Sequence, residues 1–206
     1  QLARSTFLDM FGDPMTNPKG WEVGKIIDYC DCIVPGRDKP KSFTGSIPWI
    51  TTAELQFLDY TSKYNSTIGL TKAEITQVNA RVIPKDSVLL TCVGDLGITS
   101  IASCDMVVNQ QLHTFQCKQI NNVFLMYALP FQQDFMYKRA TKTTVPYMKK
   151  ATCNEIPIFS PPMNLQEKFS FYYHRINQTK QKLNHSLEKY NYLFNSLLQR
   201  AFKGEL

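Results

Sequence analysis

Residues 163–206 carry a regular pattern of side chains that restricts the fold strongly. Apolar or long side chains follow one another at alternating intervals of four and three, at Phe169, Tyr173, Ile176, Lys180, Leu183, Leu187, Tyr190, Phe194, Leu197 and Ala201. This alternation marks the a and d positions of a coiled-coil heptad, which form one seam along a helix. Neither proline nor glycine interrupts the pattern before Gly204. The pattern predicts one long helix.

A helix of this length has more apolar seam than one small domain can cover. About forty residues extend on the order of 60 Å at ~1.5 Å per residue. We therefore expect the seam to pack against a second helix, through Ile176, Leu183, Leu187, Tyr190, Phe194, Leu197 and Ala201. At its start, Asn164 precedes Glu167 by three residues, which predicts a capping box. Gly204 is the expected C-cap.

The two ends of the sequence resemble each other. The stretch "STFLDMF" (5–11) and the stretch "SLLQRAF" (196–202) both begin with serine, end with phenylalanine and are soon followed by glycine. Residues 1–14 are thus predicted to be the end of a helix stopped by Gly12 and Pro14. The chain is either one unit of a tandem duplication or a protomer that pairs with its own copy, unless the similarity is accidental.

Residues 15–162 combine strand and helix signals without a regular β-α-β rhythm. Strands are expected at 46–52, 87–93, 97–103, 106–109 and 112–117, with residues 94–97 as a tight hairpin connection. Helical spacing occurs at 71–79 and at 121–140, where Pro130 should bend the helix. The prediction is an α+β fold: a globular domain with a mixed or antiparallel twisted sheet and flanking helices, followed by the long coiled-coil helix.

Composition indicates a folded protein of the cytoplasm. Hydrophobic residues make up 43% of 206 residues, which suffices for one core. No apolar run approaches the ~20 residues that span a bilayer, and the first residues lack a signal-peptide pattern, so no membrane partner is expected. The six cysteines form no C-x-x-C pair and the three histidines are scattered, so we expect reduced thiols and no metal site.

Motifs of catalysis are missing from the sequence. It contains no phosphate-binding G-x-x-x-x-G-K-[ST], no G-x-S-x-G and no Glu-x-Lys. The stretch "SPPM" (160–163) is similar to a motif of amino-methyltransferases, but Met163 replaces the aromatic residue and no glycine-rich cofactor loop follows an early strand. Two prolines between a strand and a helix explain it more simply. We expect a non-catalytic protein without a cofactor.

Cationic and amide side chains concentrate in a few segments. Residues 135–154 hold five basic and no acidic side chains, and residues 163–206 hold seven basic and three acidic ones. Local positive charge suits an anionic polymer, and amides can read base edges. The candidate DNA-binding residues are Arg37, Lys39 and Lys41, then Thr51 and Thr52, then Asn109, Gln110, Gln111 and His113, and finally Lys138, Arg139, Lys142, Thr143, Thr144, Tyr147, Lys149 and Lys150.

Several stretches, taken in order, resemble the specificity subunit of type I restriction–modification systems. They are "FLDMFGDPMTNPKGWE" (7–22), "PWITTAEL" (48–55), "DSVLLTCVGDLGITSI" (86–101), "NQQ" (109–111), "TKTTVPYMKKATCNEIPIFSPP" (141–162) and "LLQRAFKGEL" (197–206). The resemblance covers essentially the whole chain. It implies three regions: the end of a conserved helical region (1–14), a target-recognition domain that binds DNA (15–162) and a conserved spacer helix (163–206).

The resemblance also implies a function and partners. A full subunit of this family has two recognition domains, each reading half of a bipartite site, held apart by antiparallel helices. Methyltransferase subunits and a motor–nuclease subunit dock on this frame. The implied partners are therefore double-stranded DNA, both kinds of subunit and a second helix, supplied by self-association or by the rest of a longer subunit.

Two other functions stay open at this point. The long helix and one globular domain also suit a coiled-coil adaptor that binds protein in place of DNA, which would not be retained on duplex DNA or heparin. A divergent DNA amino-methyltransferase built around residues 160–163 would bind S-adenosylmethionine.

Overall fold

Short strands and helices alternate along the chain before one long helix begins. The computed structural model describes residues 1–36, 38–141 and 144–204. The helices are α1 (Leu2–Phe11), α2 (Ile26–Tyr29), α3 (Lys72–Gln77), α4 (Asn122–Ala128), α5 (Gln133–Arg139), α6 (Lys150–Asn154) and α7 (Met163–Phe202). The strands are β1 (Val23–Lys25), β2 (Cys30–Ile33), β3 (Ile47–Ile50), β4 (Tyr60–Thr61), β5 (Gly69–Leu70), β6 (Val82–Ile83), β7 (Val88–Thr91), β8 (Thr99–Ala102), β9 (Met106–Val108), β10 (Leu112–Cys117) and β11 (Pro157–Phe159).

The strands form three sheets. The largest has the order β2-β10-β7-β8-β4, a second has the order β5-β3-β9-β6, and β1 pairs with β11. Most pairs are antiparallel, but β3 with β9 and β4 with β8 are parallel. The predicted α+β class with a mixed sheet and a long C-terminal helix is confirmed.

Strand β7 lies between two layers of the core. Val88 and Leu90 belong to the core that the helices share, whereas Leu89 packs in a second cluster with Ile50 and Met106 from the four-stranded sheet. Successive strand residues point to opposite faces, so a strand covered on both faces must be apolar at every position. The large sheet is therefore covered by helices on one side and by the smaller sheet on the other.

Helix α1 packs beside the first part of α7. The Phe7 ring lies 5.0–6.3 Å, between centroids, from the rings of Phe11, Phe124, Tyr127, Phe131, Phe159 and Phe169. The Phe11 ring contacts the Phe169 ring, whereas Leu2 and Leu183 line a common cleft at the other end of α1, so the two helices run antiparallel. Helix α1 ends at its C-cap Gly12, which has a φ of 82°, and Lys19 Nζ and Trp21 Nε1 donate to the carbonyls of Met10 and Phe11 at this end.

Helix α7 is covered only near its start. Gln166, Phe169 and Tyr173 are buried, and Ile176 packs against the same core at half-burial. From Gln178 to Phe202 the side chains are exposed, apart from the half-buried Ser196. We call residues 178–202 the bare half of α7. None of the helices in the described ranges is long and apolar enough to cross a membrane.

Several predicted details hold. The strand predicted at 112–117 has those bounds, and the helical stretch 121–140 is broken at Pro130 by a 3₁₀ turn between α4 and α5. Gly204 takes the left-handed conformation (φ 70°) just after α7. Pro161 and Pro162 separate β11 from α7.

Two predicted details are wrong. Asn164 is not the N-cap of α7: the helix begins at Met163 with Pro162 as its cap, and no side chain caps it. A proline sets its own φ near the value that a helix requires, so α7 starts earlier than the capping-box pattern indicates. Residues 94–97 do lie in the hairpin connection between the antiparallel β7 and β8, but this connection is longer than the tight turn predicted; Gly94 and Gly97 in it have positive φ.

Candidate nucleic-acid interface

Three of the predicted segments meet on one face of the globular domain. Gln110 Nε2 lies 3.4 Å from the Gly36 carbonyl oxygen. Cys92 links the segment around Gln111 to the segment around Met148. Its N–H donates to Gln111 O at 2.8 Å, and its carbonyl oxygen accepts from Met148 N at 2.9 Å. We call residues 34–36, 38–41, 109–111 and 144–150 the polar face. Segments that are more than 100 residues apart along the chain become neighbours through β7 and β10.

Two clefts flank the Asn109–Gln111 turn, and Asp38 and Gln110 line both. The first has a volume of ≈ 460 Å³ and is lined by Asp38, Lys39, Phe43, Trp49, Thr51, Ile68, Asn109, Gln110 and Gln111. The second has a volume of ≈ 820 Å³ and is lined by Val34, Pro35, Gly36, Asp38, Val78, Asn79, Arg81, Gln110, Leu112, His113, Tyr147 and Lys150. The first is mainly apolar with amides at its edge, and the second contains two cations.

Asn109 and Gln111 hold each other in place. Gln111 N–H donates to Asn109 Oδ1 at 3.1 Å, and Asn109 Nδ2 donates to Gln111 Oε1 at 2.8 Å. The first bond is an Asx turn, which links β9 to β10. Among the described residues, the side chain of Gln110 makes one hydrogen bond, the long contact with the Gly36 carbonyl, and Gln110 is exposed. Of the three predicted amides, two are therefore ordered by the turn.

His113 lies inside the domain, although the sequence placed it among base-contacting candidates. Its side chain is 3% exposed and forms part of the wall of the second cleft. Burial lowers the pKa of His113 to about 4; the hydrogen bond that its ring donates to the Met148 backbone opposes this shift, and the charge of Lys150 adds to it. The ring is neutral at physiological pH and adds no positive charge to the polar face.

Glu74 anchors the loop before β3. Its carboxylate accepts from Thr44 N at 3.2 Å and Thr44 Oγ1 at 3.0 Å, and from Thr71 N at 2.7 Å. These hydrogen bonds, that of the Thr71 backbone first and one from Ser42 second, lower the pKa of Glu74 to about 2. A carboxylate that stays ionised through neutral pH thus fixes the loop that carries Lys39 and Lys41.

The predicted threonines of the first cleft are partly engaged in local structure. The Thr51 hydroxyl donates to Glu54 Oε2 at 2.6 Å, and Thr51 caps a 3₁₀ turn at 52–54. Thr52 is half-buried in that turn. Thr51 lines the first cleft, but its proton is already donated within the chain.

The predicted cations are distributed over the polar face and α5. Lys39, Lys41, Lys149 and Lys150 are exposed, as are Thr144 and Tyr147. Lys138 and Arg139 are exposed at the end of α5, where the Arg139 guanidinium carbon lies 5.6 Å from the centroid of the Phe135 ring. Arg37, Lys142 and Thr143 lie outside the described residues.

Two residues of the second cleft had no functional signal in the sequence. Asn79 and Arg81 follow α3, and they reach the cleft because β6 pairs with β9 beside the Asn109–Gln111 turn. Asn79 has a positive φ of 46°, which indicates only a turn. No local sequence pattern predicts that these two residues line the cleft, since their placement depends on a pairing between distant strands.

Apolar residues at the predicted pairing positions are exposed along the bare half of α7. Leu183, Leu187, Tyr190, Phe194 and Leu197 are all exposed, as is Ala201, whereas Ile176 packs on its own domain. An exposed row of this kind usually marks a protein–protein contact.

The cysteines and acidic residues show no metal-binding arrangement. Within the described ranges, no group of three or more histidine, cysteine, aspartate or glutamate side chains could hold a metal ion. All six cysteines are free thiols, and the closest pair, Cys30 and Cys117, has its sulfur atoms 3.9 Å apart.

Known proteins are similar to this chain in both sequence and fold. A specificity subunit of the type I restriction enzyme MjaIX from Methanocaldococcus jannaschii is 26% identical over 183 residues, which are 84% of this chain and 42% of that protein. The HsdS subunit from Thermoanaerobacter tengcongensis is 19% identical, with a TM-score of 0.60 over 100% of this chain and 51% of its own. A chain solved for complex assembly and conformational transition of the type I R-M system has a TM-score of 0.66 at 19% identity, covering 100% of this chain and 52% of that one.

The chain thus spans about half the length of these relatives. The two solved structures share its fold, and the similarity covers 100% of this chain. The sequence model of the type I restriction modification DNA specificity domain matches residues 18–189, which include the polar face and the start of the bare half of α7. The chain therefore belongs to the type I restriction modification DNA specificity domain family.

Proposed function

We propose that this chain recognises a DNA sequence for a type I restriction–modification system and reads one half of a bipartite target. The observation that carries the proposal is the polar face, where three distant segments bring amides and cations together in a chain of the specificity family. Amides supply donors and acceptors for base edges, and lysines neutralise phosphates. Reading and holding a duplex require both.

The distribution of charge supports binding to a duplex. The exposed Lys39 lines the first cleft, Lys150 and Arg81 line the second, and Lys149 is exposed next to Lys150 in the chain. Asp38 lies in both clefts, which disfavours a phosphate at their centre and leaves that position to base edges. Phosphate contacts are therefore assigned to the rim and base contacts to the Asn109–Gln111 turn.

The bare half of α7 is proposed to set the distance to the second reading domain. Its exposed apolar seam fits a second helix, either from another copy of this chain or from the remainder of a longer subunit. The resulting frame is where we place methyltransferase subunits and the motor–nuclease subunit.

In this assignment the chain itself does no chemistry. Methyl transfer and cleavage are carried out by the partner subunits, and the chain supplies only the recognition of the DNA sequence. The proposal places it in the cytoplasm, together with the DNA that it reads.

A salt titration of duplex binding tests the proposal. Lys149→Ala combined with Lys150→Ala should weaken binding to every duplex and reduce the slope of log K against log[salt] by about 0.9 for each phosphate that the lysines no longer neutralise. The matched control is Lys63→Ala with Lys85→Ala, two exposed lysines that line neither cleft; its slope should equal that of the unmodified chain. Binding is measured by fluorescence anisotropy, with and without methyltransferase subunits.

The two negative outcomes have different meanings. If the unmodified chain binds no duplex under either condition, DNA recognition is wrong and the adaptor function replaces it. If the lysine pair changes neither affinity nor slope, residues 149–150 are not part of the interface.

A further inference from the structure

The first cleft combines a fixed amide with an apolar wall, a pairing that matches one base pair in particular. We propose that it reads an A·T pair from the major groove, with Gln111 hydrogen-bonding adenine and the apolar wall receiving the methyl group of thymine. This inference rests on the proposed function, because it assigns the base that the polar face reads.

The orientation of the Gln111 amide follows from one backbone group. The Gln111 N–H can only donate, so the Asn109 side-chain atom 3.1 Å away must be its oxygen. The Asn109 nitrogen therefore faces Gln111, and the atom it meets at 2.8 Å must be Oε1. In the described part of the chain, Gln111 Nε2 donates to no other residue. Its two protons and the second lone pair of Oε1 are left for a ligand.

A free amide donor beside a free amide acceptor complements adenine. In the major groove, adenine presents the N7 acceptor next to the N6 amino donor, and glutamine can bond both at once. Guanine presents two acceptors there, so the oxygen of Gln111 would face another oxygen. Because Asn109 already holds the amide, little rotamer entropy is lost on binding.

The apolar wall of the same cleft complements the other base of the pair. Phe43 and Trp49 pack edge to face with ring centroids 5.7 Å apart, and Ile68 beside them is 42% exposed. Thymine is distinguished in the major groove by its C5-methyl group, which favours an apolar contact. Lys39, exposed at the edge of the cleft, is available to the neighbouring phosphate.

Selection from a random duplex pool tests the assignment of adenine. The unmodified chain, with its methyltransferase subunits, should enrich a sequence containing an A·T pair that Gln111→Ala no longer selects, with a loss of discrimination of about 5- to 150-fold at that position alone. Asn109→Ser keeps an oxygen for the Gln111 N–H but removes the amide donor, so it should relax the same position by a smaller factor. Gln119→Ala, at an exposed glutamine that lies outside the polar face and lines neither cleft, is the control and should keep that A·T pair.

Modified bases test the two halves of the pair separately. At the assigned position, 7-deazaadenine should weaken binding of the unmodified chain but not of Gln111→Ala. Uracil in place of thymine should cost about 4-fold, the value of one buried methyl group, and Ile68→Ala should remove this difference.

The outcomes separate this inference from the function on which it rests. If the unmodified chain enriches no sequence, the proposed function fails. If it enriches one and Gln111→Ala selects the same one, DNA recognition stands and the assignment of adenine is wrong. Equal binding to thymine and uracil overturns the role of the apolar wall.

Discussion

The two halves of α7 follow the same spacing rule and have opposite surroundings. In the first half Phe169 and Tyr173 are 0% and 1% exposed, whereas in the bare half Phe194 and Tyr190 are 62% and 70% exposed. The two phenylalanines, like the two tyrosines, occupy seam positions of one continuous helix and differ only in their surroundings. The comparison teaches that a heptad pattern identifies which side of a helix must be covered, but not which molecule covers it.

The largest difference is expected between the two phenylalanines. Phe169→Ala should lower the free energy of unfolding by about 3–5 kcal/mol, because it opens a cavity among the packed rings around Phe7. Phe194→Ala should change it by less than ~0.5 kcal/mol in dilute protein, where self-association is absent. Urea denaturation followed by circular dichroism measures both.

Should Phe169→Ala fail to fold, Phe169→Leu offers a milder change, expected to cost less than Phe169→Ala because it removes fewer buried atoms. Equal effects at the two positions would contradict the burial difference along α7.

The next largest effect concerns self-association through the bare half of α7. Leu183→Asp with Leu187→Asp should weaken dimerisation at least about 100-fold, since pairing would bury two charges without partners. The unfolding of the globular domain should stay unchanged. Sedimentation velocity over a range of concentrations measures the association.

His185→Asp with Gln178→Asp places the same charges on the opposite side of the helix and is the matched control. If the unmodified chain is a monomer at all concentrations, the seam is covered by another chain or by a further part of a longer subunit, and self-pairing is excluded.

The smallest effect is expected at the tyrosines. Tyr173 Oη donates to Asp59 Oδ1 at 2.9 Å, which ties α7 to the segment before β4. Tyr173→Phe should therefore cost about 1–2 kcal/mol of unfolding free energy. Tyr190→Phe removes an exposed hydroxyl and should cost nothing measurable. A Tyr173→Phe chain as stable as the original would show that this hydrogen bond does not hold the helix.

Local signals in the sequence predicted most of the elements. Pro130 disrupts the interior of a helix, and the 112–117 strand contains the strand-favouring residues Thr114 and Phe115 and is flanked by the polar Gln111 and Lys118, so both were recognisable without the fold. Asn164 had a good capping pattern and was still not the cap, because Pro162 offered a competing start. The four-residue helix α2 inside a stretch of strand character is set by its surroundings.

The candidate site was less predictable than the fold, because distant segments form it. The amides of the Asn109–Gln111 turn were recognisable from their chemistry, but their mutual hydrogen bonds depend on the β9–β10 connection. Arg81 enters through strand pairing alone, and His113 faces inward because its strand is covered on both sides. Residue type indicates what a side chain can bind, while strand register decides whether it is exposed to do so.

The attachment of α7 has a mechanical consequence for the proposed role of this helix in setting a distance along DNA. The helix is fastened to the globule over little more than the segment Gln166–Asn177, and the 25 residues beyond it extend about 37 Å. A small rotation of α7 at its attached segment therefore produces a large displacement of its C-terminal end. A tilt of about 10° would move this end by about 6 Å, nearly two base-pair steps. Under the proposed function, stiffness at the aromatic contacts around Phe169 would limit how precisely two recognition domains are spaced along a duplex.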